Sequence, residues 1–370
     1  MNGLTSSRAV CLTEFGKPVG VREVPVAAPR RGQTLVAPRY GGICGTDVHL
    51  REGFLPIPLP LVLGHEGLGT VVACDDEEGE DFFGTPLRPG DLVMWASSIS
   101  CGRCAACGRR EPTLCARRST YGVTLGLDDD PPLSGSWADR MTLREGTTLV
   151  RLPEGVDPLA AASLACAAPT MVHALYERRP VRLGETVIVQ GSGPVGIAAA
   201  ALARLAGAAE VIVVGGPASR LKLAAEIGVG DHHLDVVEGG TPGTALEAVM
   251  DLTGGRGADL VIECAGAPAA VAQGLLMPAR GGAYLVVGQY TDRGDVPLNP
   301  HQIVRRQLDI RGSWGFTGAH LAEYVALLPT LTSRFDLARL VTAYPLESAN
   351  DALDDVAAGA VMKAVLDIAR

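Results

Sequence analysis

Two patterns of hydrophobic spacing divide the chain. Up to about residue 155 the apolar residues come in short runs that read as strands, at 9–14, 34–37, 69–73, 91–95, 138–143 and 148–152. Turn signals such as Gly41-Gly42 and Pro89-Gly90 punctuate them, with no helical period between. Strands without intervening helices predict a compact, barrel-like β domain. From about residue 160 the period changes. A buried-type strand at 186–190 runs through a glycine turn into an apolar helix at 195–206, followed by a strand at 210–214 and a helix at 220–227. Further strands are expected at 259–263 and 283–287, with a helix at 268–276 between them. Strand and helix alternating at this spacing specify a parallel, doubly wound sheet. After Trp314 the pattern gives a helix at 320–328, a turn-rich stretch and a last strand at 363–368. That tail is too small for a domain and is expected to pack back onto the first one. The fold class is therefore α/β, with a β-rich domain from residues 1–160 and 316–370 and a doubly wound domain from 161–315.

Composition narrows the function classes. A length of 370 residues suffices for two separate cores, and 46 Gly with 25 Pro are too few to signal disorder. A net charge of −9 argues against a general binder of nucleic-acid backbones, which carries a basic face. The richest apolar window, 195–209, is interrupted by Arg204 and falls short of a membrane span. The first residues, MNGLTSSRAVCLTEFGKPV, lack the apolar stretch of an export signal, so a cytoplasmic location is expected. Acidic patches at 75–81 and 128–130 read as solvated loops. Nine cysteines in such a chain read as reduced thiols or metal ligands, not disulfides.

Three motifs carry chemistry. Cys101-x2-Cys104-x2-Cys107-x7-Cys115 offers four thiolates on a short loop. They can close a tetrahedral zinc site with no open position, and so fix a loop that lacks a core of its own. An iron–sulfur cluster would also take four cysteines. The second motif is Gly41-Gly42-Ile43-Cys44-Gly45-Thr46-Asp47-Val48-His49, with Gly64-His65-Glu66-Gly67 further on. Cys44, His65 and the distant Cys166 could give a zinc three protein ligands and leave a fourth position for water or substrate; Glu66 could serve as an exchangeable ligand. The third is Gly191-Ser192-Gly193-Pro194-Val195-Gly196, a G-x-G-x-x-G between a strand and a helix. Its glycines allow a tight turn and close approach of a pyrophosphate, and the helix N-terminus supplies amide donors.

From about residue 8 to the C-terminus, these motifs together resemble the zinc-dependent medium-chain alcohol dehydrogenases. The resemblance implies a GroES-like catalytic domain, formed by the N-terminal part and the tail, and an inserted Rossmann domain. It places Cys44, His65 and Cys166 at the catalytic zinc, Glu66 at the motif glutamate, and Cys101, Cys104, Cys107 and Cys115 in the structural zinc lobe. Asp47 falls at the carboxylate that orients the zinc-bound histidine. Thr46 and His49 fall at the hydroxyl and imidazole of a proton relay. Thr170 and Val195 match positions flanking the nicotinamide, and Lys363 matches a basic contact to the pyrophosphate. The run from Trp95 to Cys115, the LSGSW run at 133–137 and VQGSGPVG are similar to the branch acting on hydroxycamphor-type and phosphonate-pathway alcohols.

Two departures bear on specificity. Many members end the second Rossmann strand with an Asp that binds the adenosine ribose; here Gly215 stands there, followed by Gly216-Pro217-Ala218-Ser219-Arg220. The absent carboxylate removes an attraction for a free 2′-hydroxyl and an exclusion of a 2′-phosphate, leaving both NAD and NADP open, with Ser219 and Arg220 as nearest phosphate partners. Ser97 stands where ethanol-oxidising relatives carry an aromatic residue, and the extra room suggests a bulkier secondary or cyclic alcohol. The expected activity is hydride transfer between such an alcohol and NAD(P)+, with two zincs per chain. The alternatives are a zinc-independent enone or quinone reductase of the same fold, or a non-catalytic NAD(P)-binding protein. The partners expected are a small alcohol or ketone, not nucleic acid or membrane, and a second copy of the chain paired through 283–290 and 308–314 in a dimer or tetramer. Cys11, Cys74 and Cys264 read as core thiols, and His173 as packing.

Overall fold

A computed structural model describes residues 6–74, 79–236 and 242–369. The first four residues of the acidic patch expected at 75–81 lie outside this range. The chain divides into two compact units, Met1–Cys166 with Phe316–Pro329 and Ala338–Arg370, and Ala167–Gly315 with Thr330–Leu337. One helix, Gly318–Arg334, carries a boundary at Pro329.

The first unit is built on a seven-stranded sheet. Its strands run in the order Leu149–Arg151, Leu92–Trp95, Gly67–Cys74, Thr34–Ile43, Lys363–Asp367 and Val341–Pro345, with Met141–Leu143 also pairing on Thr34–Ile43. The central strand is longer than the expected 34–37. Pro38, which has no donor, coincides with a register shift in its ladder to Gly67–Cys74, and the strand resumes beyond it. A second sheet joins Gly20–Pro25, Ser6–Leu12 and Leu61–Val62. The tail returns because its apolar residues complete this core: Leu346, Leu353 and Leu366 pack with Ile43, Leu50, Leu63 and Trp137 in one cluster. The returning strand pairs antiparallel with the central one, Ala364 opposite Ile43, which delivers Lys363 to the end of that strand.

In the second unit six strands form a parallel sheet, numbered here in chain order: β1 (Thr186–Gln190), β2 (Glu210–Gly215), β3 (His232–Asp235), β4 (Ala258–Glu263), β5 (Pro278–Val286) and β6 (Asp309–Gly312). Their spatial order is β3-β2-β1-β4-β5-β6, so the winding reverses between β1 and β4. That reversal opens a crevice beyond the carboxyl ends of the strands. Helix α1 (Pro194–Leu205) follows β1, its Ala198–Ala201 stretch fully buried, and helix α2 (Ala218–Glu226) follows β2. β6 was invisible to hydrophobic periodicity because it is an edge strand whose four residues are all exposed. Among the described residues no helix is long and apolar enough to cross a membrane.

Candidate active site and metal centres

Cys44 closes the central strand of the first unit and begins a short polar helix, Gly45–Glu52, that hydrophobic spacing did not reveal. The helix is held by its cap: Cys44 Sγ accepts the Thr46 amide at 3.3 Å, and Asp47 Oδ2 accepts the Cys44 amide at 2.9 Å. The other Asp47 oxygen lies 3.2 Å from His65 Nδ1, and His65 Nε2 lies 3.2 Å from Cys44 Sγ. Cys166 hydrogen-bonds both Cys44 and His65, so the two cysteines and the histidine meet although they lie far apart in sequence. Ligand atoms of Cys44, His65 and Glu66 lie within 4.8 Å of one another, a spacing fit for one metal ion. The hydrogen bond from Cys166, with His65 and Lys363 nearby, holds Cys44 well below the usual thiol range; the same bond, together with burial, drives Cys166 well above it. Burial works against charge on His65, but Asp47 and Cys44 outweigh it and raise its pKa. Thr46 and His49 sit three residues apart on one turn of the helix, both half-buried, with the His49 ring edge-on to Phe54.

Glu66 is 2 % exposed and Lys363 likewise, and the two form a buried ion pair. Lys363 Nζ also donates to the Ile43 carbonyl at 3.1 Å, while Glu66 Oε2 accepts the Cys166 amide at 3.1 Å. Lys363, which the resemblance places at a contact to the pyrophosphate, thus already has an anionic partner inside the chain. Burial raises the pKa of Glu66, and Lys363 offsets part of that rise. Gly42 leaves room for this carboxylate, since a Cβ there would stand 2.5 Å from Glu66 Cδ. Sequence reasoning missed the wall behind the motif. Ser136 Oγ donates to the Glu66 carbonyl at 2.7 Å, the Ser136 amide to the Gly64 carbonyl at 2.9 Å, and Trp137 Nε1 to the Gly42 carbonyl at 3.0 Å. The LSGSW run was noticed only as a likeness; its hydrogen bonds needed the fold. Ser97 is buried at 4 % exposure.

Cys101, Cys104, Cys107 and Cys115 converge with all four sulfurs within 4.8 Å. Amides of Cys107 and Ala116 lower the Cys104 thiol to about 6. Four thiols in mutual contact, one already favouring thiolate, suit a tetrahedral zinc and leave no position open. Of the remaining cysteines Cys11 is buried, whereas Cys74 and Cys264 are only partly so. His173 is buried, with Nδ1 2.9 Å from the Gly315 carbonyl.

The glycine motif occupies the turn between β1 and α1. Gly191 has φ +114°, and a Cβ at Gly196 would lie 1.8 Å from the Gly191 carbonyl oxygen, so a side chain at either would break the turn. Gly193 caps α1 and Pro194 opens it, leaving the first amides of a twelve-residue helix toward the crevice. Val195 is half-buried in its first turn, and Thr170 is half-buried on the helix Ala167–Val172. Gly215 ends β2 beside Ser192, whose hydroxyl donates to the Gly216 carbonyl at 2.9 Å and accepts its amide at 3.1 Å. Ser219 is exposed and Arg220 half-buried in the first turn of α2, where burial lowers the guanidinium pKa.

Comparison with known proteins places this architecture. Residues 30–154 match the alcohol dehydrogenase GroES-like domain, and residues 194–333 match the zinc-binding dehydrogenase domain. The 5-exo-hydroxycamphor dehydrogenase of Pseudomonas putida is 34% identical over 363 residues, 98% of each chain. The crystal structure of an alcohol dehydrogenase from Thermotoga maritima superposes with a TM-score of 0.91 at 35% identity, over 99% of this chain and 100% of that one. A putative zinc-binding dehydrogenase from Sinorhizobium meliloti, solved bound to NADP, gives 0.84 at 27% identity, covering 98% and 99%. With both domains matched in chain order and relatives aligned end to end, the chain belongs to the zinc-type medium-chain alcohol dehydrogenases, and is an alcohol oxidoreductase of that family.

Proposed function

We propose that the protein is a zinc-dependent dehydrogenase that transfers a hydride between a bulky secondary or cyclic alcohol and NAD(P)+. The observation that carries this reading is the convergence of Cys44, His65 and Cys166, with Asp47 behind the histidine and Glu66 beside it. Two thiols and an imidazole are the donor chemistry of catalytic zinc sites with an open fourth position. When bound, zinc supplies a Lewis acid that lowers the pKa of an alcohol hydroxyl, and the nicotinamide supplies the hydride acceptor.

The chain's own residues do the rest. Asp47 accepts a hydrogen bond from the Nδ1–H of His65 and leaves Nε2 to face the sulfurs. Thr46 Oγ accepts the alcohol proton as it releases its own, and His49, one turn along, delivers a proton to solvent. Cys101, Cys104, Cys107 and Cys115 hold a second zinc as a structural clasp. Gly191, Gly193, Val195 and Gly196 receive the dinucleotide at the amides of α1, with Thr170 and Val195 beside the nicotinamide. On this reading residues 161–315 form the cofactor domain, and 1–160 with 316–370 the catalytic one. Gly215 to Arg220 contain no carboxylate, which supports use of NADP as well as NAD; the Sinorhizobium relative's structure holds NADP. The small Ser97 and the hydroxycamphor specificity named for the Pseudomonas relative support a bulky alcohol. The chain pairs with a second copy through β6, its four residues exposed, with Val304 and Trp314 exposed nearby in sequence.

A screen of cyclic, terpenoid and sugar-like secondary alcohols with NAD+ and NADP+, alongside zinc analysis, tests the reading. Two zincs per chain and turnover of the bulky alcohols are expected. Full turnover by metal-free protein, or none with either dinucleotide, would overturn it.

A further inference from the structure

Glu263 ends β4 and is completely buried, yet no zinc ligand or glycine-motif residue needs it. Among the described residues its carboxylate is met by backbone amides and not by a basic side chain. Oε1 accepts the amides of Ala265 at 2.8 Å and Gly266 at 2.7 Å, and Oε2 accepts the amide of Gly288 at 3.2 Å. One side chain thus ties the loop after β4 to the loop after β5. The Gly288 amide is shared with the Glu263 carbonyl, at 2.9 Å.

The tied loops are packed backbone on backbone. A Cβ at Gly288 would stand 2.6 Å from the Gly266 amide nitrogen, and one at Gly191 would stand 2.8 Å from the Cys264 carbonyl carbon. The loop after β4 is therefore wedged between the glycine turn after β1 and the loop after β5. All three lie at the carboxyl ends of the strands, where doubly wound sheets bind ligands. The half-sheet that carries the glycine turn, β1 to β3, takes the adenosine side of a dinucleotide. By the two-fold logic of the fold, β4 to β6 takes the other mononucleotide.

We propose that Glu263 is a positioning residue of the dinucleotide crevice: it fixes the loops after β4 and β5 in the shape that receives the nicotinamide mononucleotide half. The inference rests on the reading of this unit as dinucleotide-binding. A loop shaped by an internal carboxylate needs no ordering when ligand arrives, so the anchor acts on affinity for that half alone.

Glu263→Gln and Glu263→Ala test it by direct titration of the zinc-replete enzyme, without alcohol, using NAD+, NADP+ and ADP. Gln keeps one acceptor, which faces the two amides of 265 and 266, and turns its NH2 toward Gly288. Dinucleotide affinity should fall roughly 10-fold in Gln and on the order of 100-fold in Ala, as the loop amides lose their charged acceptor. Affinity for ADP, which lacks the nicotinamide half, should be unchanged, and amide exchange should quicken at Gly266 in the Ala variant but not in the Gln variant. Unchanged dinucleotide binding in folded Glu263→Gln overturns the inference, as does an equal loss for ADP and dinucleotide. Wild-type protein that binds ADP but neither dinucleotide overturns the inference together with the dinucleotide reading beneath it.

Discussion

Asp47 serves two neighbours with one carboxylate, capping the Cys44 amide and holding His65 Nδ1. Asp47→Asn replaces one acceptor with a donor, and zinc retention against a chelator, or activity, should fall about 10- to 100-fold. His65→Ala should abolish alcohol oxidation while direct titration still shows dinucleotide binding; near-normal turnover would remove His65 from the site. Lys363 and Glu66 form the other buried couple. Lys363→Met strands a buried carboxylate and should cost about 3–5 kcal/mol in denaturant unfolding. Most of that loss should return when Glu66→Gln is added; a double variant as unstable as the single would show that the pairing is not the cause. At Gly215 the structure qualifies an experiment the sequence invites. A Cβ there meets the Ser192 amide nitrogen at 2.9 Å and its Cβ and Oγ at 3.0 Å, so Gly215→Asp must shift the strand end, at a cost of roughly 1–3 kcal/mol. Arg220→Ala avoids that clash, and should lower kcat/KM with NADP more than with NAD if the first turn of α2 meets a 2′-phosphate; an unchanged ratio would place selectivity elsewhere.

In two elements polar and thiol side chains add what a small apolar core does not supply. Between residues 101 and 115 the chain forms only a four-residue helix, Ala105–Gly108, and one turn, Pro112–Leu114, with Ala106, Thr113 and Cys115 as its buried residues. So small a core cannot order the loop, and four thiols bound to one ion can. Cys104→Ser should lower zinc by about one ion per chain in metal analysis and reduce thermal stability. A variant that keeps its zinc and its melting temperature would refute a structural metal there. The helix Gly45–Glu52 is the second such element. Its sequence, GTDVHLRE, contains a glycine and few apolar residues, so capping by Cys44 and Asp47 supplies what propensity does not.

Over the whole molecule, the proposed pairing through β6 predicts that Ile310→Lys, at a position 41% exposed, shifts the sedimenting species from two chains toward one. A wild type that sediments as a single chain would exclude it. Periodicity and motif spacing were enough for the two classes of domain, the strands β1, β2 and β4, the four-cysteine clasp and the glycine turn, because each is written in consecutive residues. Exposed β6 and the helix Gly45–Glu52 were illegible for related reasons: β6 buries no residue, and the helix buries only Val48 and Leu50 as apolar residues, too few to leave a period. What only tertiary structure decided are the relations between distant residues. Cys166 meets Cys44 and His65 across more than a hundred residues, Ser136 braces the Gly64–Gly67 turn and Trp137 the Gly42 carbonyl, and Glu263 bridges two loops. Lys363 is the sharpest case. Its charge was plain in the sequence, but the antiparallel pairing of the tail with Thr34–Ile43 buries it against Glu66. A sequence specifies which groups exist and their local spacing; which charge faces which is set by strand order and register, and these follow from how the chain closes its core.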